Sequence, residues 1–170
     1  FFGIGAYTSA LLVMAGVPFL LGILAGGILA AIFGWLLGMI TSEMTGDYFA
    51  LATFAFAEMT RQIFINWTGL TRGPLGLPGI PRPMIFGFRF STNQSYLFLY
   101  LILLALVIII TEMYVKSPFG RLLKTIREDE IAAESLGKNI TKTKNISIAM
   151  GAFFGGVGGA LYAHYITYID

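Results

Sequence analysis

Few residues in this sequence could carry chemistry. There is no cysteine and one histidine, His164. Cysteine-based metal sites and disulfides are excluded on that count, and a histidine metal site has too few donors. His164 lies in an apolar run and is expected as a surface or hydrogen-bonded histidine, not as a ligand. The chain contains no G-x-x-x-x-G-K-[ST], so no nucleotide is bound by a phosphate loop here. Glu58 and Arg61 stand three residues apart in an otherwise apolar segment, so their side chains can meet on one helical face. A charge at the bilayer centre costs about 2.5–3.5 kcal/mol on insertion scales, so this pair is expected to face a bundle or water. It reads either as a structural ion pair or as part of a transport path.

The remaining charge is concentrated in the hydrophilic stretch 116–144. It holds Lys116, Arg121, Lys124, Arg127, Lys138, Lys142 and Lys144, seven of the eleven Lys and Arg residues. Ser117-Pro118 signals a helix start, because proline suits a first helical turn. Leu122, Leu123 and Ile126 then recur at helical spacing, with Arg121, Lys124 and Arg127 on the other side. Asp129 is placed as the N-cap of a second short helix. Ile131, Ala132, Ala133 and Leu136 form its apolar patch, and Gly137 its stop. The pattern predicts two short amphipathic helices against the membrane surface. The small Ala132-Ala133 face is expected to let another protein dock closely. The chemistry offered is mechanical contact, not catalysis.

These residues need a scaffold, and composition says which kind. In 170 residues, 56% are hydrophobic and 12% charged, and the mean hydropathy is +0.78. Soluble domains carry about 25% charged residues. The balance predicts an all-α polytopic membrane protein, forming one transmembrane domain over 1–170. A net charge of +2 is too small to suggest nucleic acid. The start at Phe1-Phe2-Gly3 and the apolar run before Asp170 suggest a piece of a longer protein.

A spanning helix needs about 20 apolar residues. About five helices are expected: 4–17, which is short, then 19–40, 48–67, 96–114 and 146–165. Gly22, Gly26, Ala30, Gly34 and Gly38 recur at every fourth position, as do Gly151, Gly155, Gly159 and Ala163, with Ala152, Gly156 and Ala160 beside them. Such stripes let helix backbones approach closely in lipid, so close packing is expected, with the lining of a path as the other reading. Residues 41–47, with Glu43 and Asp47, form a short polar loop. Residues 68–94 hold Pro74, Pro78, Pro81 and Pro83 among several glycines, which argues against both helix and strand. Leu70, Leu75, Leu77 and Ile80 between them predict a packed loop. By the positive-inside rule, 116–144 is cytoplasmic and 68–94, with three arginines, external.

The run Ala132-Ala133-Glu134-Ser135-Leu136-Gly137 resembles the EAA-type loop of bacterial ABC importer permeases, with Ile131 where the glutamate would stand and Glu130 one place earlier. Ser117-Pro118-Phe119-Gly120-Arg121 followed by Ile126-Arg127-Glu128-Asp129-Glu130-Ile131-Ala132-Ala133 resembles the branched-chain amino acid permeases of the LivM type. Phe2-Gly3-Ile4-Gly5-Ala6-Tyr7, Gly46-Asp47-Tyr48-Phe49-Ala50, 71–81 and Leu161-Tyr162-Ala163-His164-Tyr165 resemble further segments of that family, in order.

The resemblance implies half of an ABC importer in the inner membrane of a bacterial or archaeal cell. Such a permease pairs with a second homologous permease, two cytoplasmic ATP-binding subunits and an external solute-binding protein. It implies no cofactor and no enzymatic step in this chain, ATP being bound by the partner subunits. Arg127, Glu128, Asp129, Ala132, Ala133 and Gly137 would dock and couple, and Glu58 and Arg61 would line the path or form a structural pair. A permease for urea or short amides, a secondary carrier and a membrane-embedded enzyme are the competing readings.

Overall fold

The computed structural model describes all residues except 42, 43, 45, 86, 87, 90–92 and 136. Glu43 of the polar loop and Leu136 of the apolar patch thus lie outside the described residues. The helices are α1 (Phe2–Met14), α2 (Phe19–Thr41), α3 (Asp47–Asn66), α4 (Thr68–Thr71), α5 (Asn93–Lys116), α6 (Pro118–Glu128), α7 (Glu130–Ser135) and α8 (Ile140–Ile166). Among the described residues, three helices are long and apolar enough to cross a membrane, spanning Phe19–Thr41, Gln94–Lys116 and Ile140–Ile166. The expected five therefore divide. α1 has 13 residues, and α3 is diluted by Glu58, Arg61 and Gln62.

α1, α2 and α8 form the packed centre. All five small residues of the α2 stripe, Gly22, Gly26, Ala30, Gly34 and Gly38, are buried. They are small because α8 and α1 leave no room. A β-carbon added to Gly156 would lie 2.5 Å from Ala30 Cβ, and one added to Gly26 would lie 2.7 Å from the Gly5 carbonyl oxygen. Gly34 abuts Ala152 in the same way, and Gly159 abuts the Phe2 backbone. The close-packing expectation holds for α2. The buried glycines and alanines of α8 are Ala152, Gly156, Gly159, Ala160 and Ala163, while Gly151 is exposed. The seam thus runs between the two stripes expected on α8.

α5 is held mainly at its start, where Leu99, Tyr100 and Leu103 pack on Phe19, Ile23, Ala160 and Leu161. Beyond that, Leu101, Ile102, Leu104, Ile108 and Ile109 are exposed, as suits a lipid-facing surface. α3 has no buried residue.

The proline-rich stretch is a packed strap over α1 and the C-terminal end of α8. Leu77 and Ile80 are buried, but Leu70 and Leu75 are exposed. Ile80 packs on Ala6, Ala10 and Ala163. Contrary to the expectation of no regular structure, β1 (Leu77–Pro78) pairs antiparallel with β4 (Tyr168–Ile169). β2 (Met84–Ile85) pairs with β3 (Phe88–Arg89). Proline is tolerated there because an edge strand need not donate its N–H.

Candidate functional site

The hydrophilic stretch folds as a two-helix hairpin at the end of the bundle opposite the proline-rich strap. It begins at a tight elbow. The Ser117 hydroxyl donates to the Tyr114 carbonyl at 2.6 Å and accepts from the Gly120 amide at 3.3 Å. Gly120 is required there, since an added β-carbon would collide with the Val115 carbonyl oxygen. The Tyr114 and Phe119 rings, 5.0 Å apart, close the other side.

α6 then presents Arg121, Lys124 and Arg127 outward and buries Ile126. Asp129 ends it, its amide bonding to the Thr125 carbonyl at 2.9 Å. The Asp129 carboxylate caps α7 by accepting from the Ala132 amide at 2.9 Å. Gly137 sits at φ +72, the left-handed conformation that favours glycine, and its amide bonds to the Glu134 carbonyl at 2.8 Å. Asn139 restarts the chain by accepting from the Lys142 amide at 2.8 Å, capping α8. Three of the punctuation residues expected from sequence thus do the expected work. Asn139 was missed, although an Asn directly before an apolar run is an N-cap signal.

The two alanines do not share one face. Ala132 is exposed, whereas Ala133 is fully buried in a small core with Ile126, Ile140 and Leu122. Successive helical residues point about 100° apart, so one of them must turn inward. Of the expected Ala132-Ala133 face, only Ala132 is exposed, and Ala133 packs inside the hairpin. The outward surface includes Arg127, Glu128, Asp129 and Ala132, with Ile131 at 77% exposure.

A second bond fastens the hairpin. Lys144 Nζ of α8 lies 2.5 Å from Glu130 Oε1 of α7. No local sequence signal joins residues fourteen positions apart. Both residues, with Arg127 and Leu123, line a cleft of about 540 Å³ whose far wall includes Thr41 and Phe49.

Glu58 and Arg61 do pair, at 3.2 Å, and Gln62 Nε2 donates to the same carboxylate oxygen at 2.9 Å. The pair is not turned into the packed bundle; the side chains are 48% and 65% exposed. Arg61 lines a cleft of about 900 Å³ with Tyr7, Phe64 and Tyr162. His164 is fully buried. Its Nδ1 lies 2.8 Å from the Pro81 carbonyl oxygen and its Nε2 lies 3.0 Å from Ser9 Oγ. A carbonyl only accepts, so Nδ1 carries the proton, and Nε2 of the neutral ring accepts from Ser9. Among the described residues no cluster of three or more His, Asp or Glu could hold a metal.

A bundle of long apolar helices, close-packed through glycine and capped by a charged hairpin, defines a multi-pass membrane protein. The chain belongs to the family described as branched-chain amino acid transport system permease component, whose profile matches residues 1–170. It is 35% identical, over 96% of its length, to the high-affinity branched-chain amino acid transport system permease protein LivM of Salmonella typhimurium, and equally to that of Escherichia coli. It is also 31% identical, over 96% of its length, to the nucleoside ABC transporter permease protein NupC of Lactococcus lactis. The chain spans 44% of the two LivM proteins and 56% of NupC. No solved structure matches it.

Proposed function

We propose that this chain is the membrane-spanning part of a permease subunit in an ATP-driven importer of branched-chain or related amino acids. It forms one permease domain over 1–170, with 116–144 as the loop that meets the motor. The observation that carries this reading is the hairpin itself. Caps at Ser117, Asp129 and Asn139 and a core around Ala133 make a rigid projection outside the bundle. Such a projection suits a soluble partner that pushes on it.

In this reading 116–144 is cytoplasmic, because it holds most of the Lys and Arg, and 68–94 is external. Two ATP-binding subunits dock on Arg127, Glu128, Asp129 and Ala132, while Ala133 and Gly137 shape the surface. ATP is bound by those subunits, and this chain supplies no catalysis or cofactor. A second homologous permease completes the path and an external solute-binding protein delivers the solute. Glu58 and Arg61 serve as a structural ion pair or line the path.

The test is uptake by the full-length protein with its partner subunits in proteoliposomes. ATP-dependent accumulation of labelled leucine, isoleucine or valine is expected. ATP-dependent uptake of a nucleoside instead would move the substrate toward that of the NupC relative. Uptake that needs a proton gradient and no ATP would make the protein a secondary carrier.

A further inference from the structure

We propose that Glu130 and Lys144 are positioning residues that clamp the hairpin to α8, so that the two move as one body. The inference rests on the importer reading for its functional consequence, but its physical core does not.

The hairpin touches the bundle in two ways. At its start it is bound to α5 through the Ser117–Gly120 elbow. At its end, Ile126 and Ala133 pack on Ile140 of α8, and Glu130 bonds to Lys144 one helical turn further along α8. The Glu58–Arg61 and Glu112–Lys116 pairs each stay within one helix. Glu130–Lys144 joins two elements, and Lys144 is drawn in to 26% exposure. An ion pair placed beside an apolar contact resists rotation about that contact, which neither feature does alone.

What α8 does next follows from its packing. Its seam with α2 and α1 is glycine-deep, at Gly156, Gly26, Gly5 and Gly159, so α8 cannot slide without carrying them. α5, by contrast, is buried against the rest mainly near its start. The cleft of about 540 Å³ that Glu130 and Lys144 line, toward Thr41 and Phe49, leaves room for movement. A push on the hairpin is therefore delivered to the α8–α2–α1 block.

The experiment uses the full-length protein with its partner subunits in proteoliposomes. Glu130→Ala and Lys144→Ala should each lower solute moved per ATP hydrolysed by about 2- to 30-fold, the span typical of residues that carry coupling. The ATP-binding subunits should still co-purify, and the swap Glu130→Lys with Lys144→Glu should recover most of the loss. A nitroxide on Ser135→Cys, an exposed site within 170 residues that hold no cysteine, gives a second readout once any cysteine elsewhere in the full-length protein is replaced. Its mobility should rise in each single variant and fall again in the swap. Wild-type solute-to-ATP ratios in both single variants, or a swap no better than either, would overturn the coupling role. Unchanged nitroxide mobility would overturn the clamp itself. Failure of the wild-type complex to use ATP would instead sink the importer reading, and the nitroxide alone would then judge the clamp.

Discussion

Ser9 Oγ lies 3.0 Å from His164 Nε2, across the seam between α1 and α8. The opposite ring nitrogen reaches the Pro81 carbonyl at 2.8 Å, so one imidazole ties two helices to the proline-rich strap. The Phe19 ring meets it edge-on at 5.0 Å, and Tyr96 donates to the His164 carbonyl at 2.9 Å. His164→Ala removes a fully buried ring and leaves the Pro81 carbonyl without its donor. A loss of about 1–3 kcal/mol is expected for the orphaned group. Thermal unfolding of the full-length protein in detergent should fall accordingly. Amide exchange at Ile80, which bonds to the Thr167 carbonyl, should quicken. Unchanged exchange there would show that the strap is held by its apolar contacts alone.

The small residues of the central seam differ in how much they matter. Gly156→Val forces a side chain into Ala30 and the Gly26 carbonyl. Overpacking of this kind costs about 1–3 kcal/mol. A β-carbon added to Gly151 meets nothing within 4 Å, so Gly151→Val should leave stability near that of the parent. Comparing the two variants by unfolding temperature separates a packing role from a general intolerance of α8 to bulk. Equal losses would contradict the seam described here.

The neighbouring alanines of α7 should part company in the same way. Ala133→Leu enters the core of Ile126, Ile140 and Leu122. It should loosen the hairpin, seen as faster exchange at the Ala133 amide, which bonds to the Asp129 carbonyl. Ala132→Leu stays on the surface and should leave that exchange alone. If the outward face carries the docking, Ala132→Leu should weaken co-purification of the ATP-binding subunits while the hairpin stays folded. Indistinguishable behaviour of the two would mean that the outward face is not the one that docks.

Much of this was legible before any coordinates. The apolar runs within α2, α5 and α8 are long enough to cross a membrane, so span length marks them. Ser117, Asp129 and Gly137 act on backbone groups within a turn of themselves, and their residue types announce those roles. The stripe Gly22 to Gly38 is a property of one helix, readable from its period. The word order of 117–137 carried the family resemblance for the same reason: it is local.

What stayed hidden was long-range. The rotation of α8 that buries Ala152 and Gly156 but exposes Gly151 follows from α1 and α2 pressing on it together. Which of Ala132 and Ala133 turns inward is decided by where Ile140 returns, and the Glu130–Lys144 bond by the same return. Pro78 entering a strand needed β4 to arrive from ninety residues away. The sequence by itself determined a membrane bundle with a capped, charged hairpin, because spans and caps are set by near neighbours. Only the tertiary structure decided which small residues touch, and which charges and hydroxyls meet across the seams, because those contacts depend on the relative rotation of whole helices.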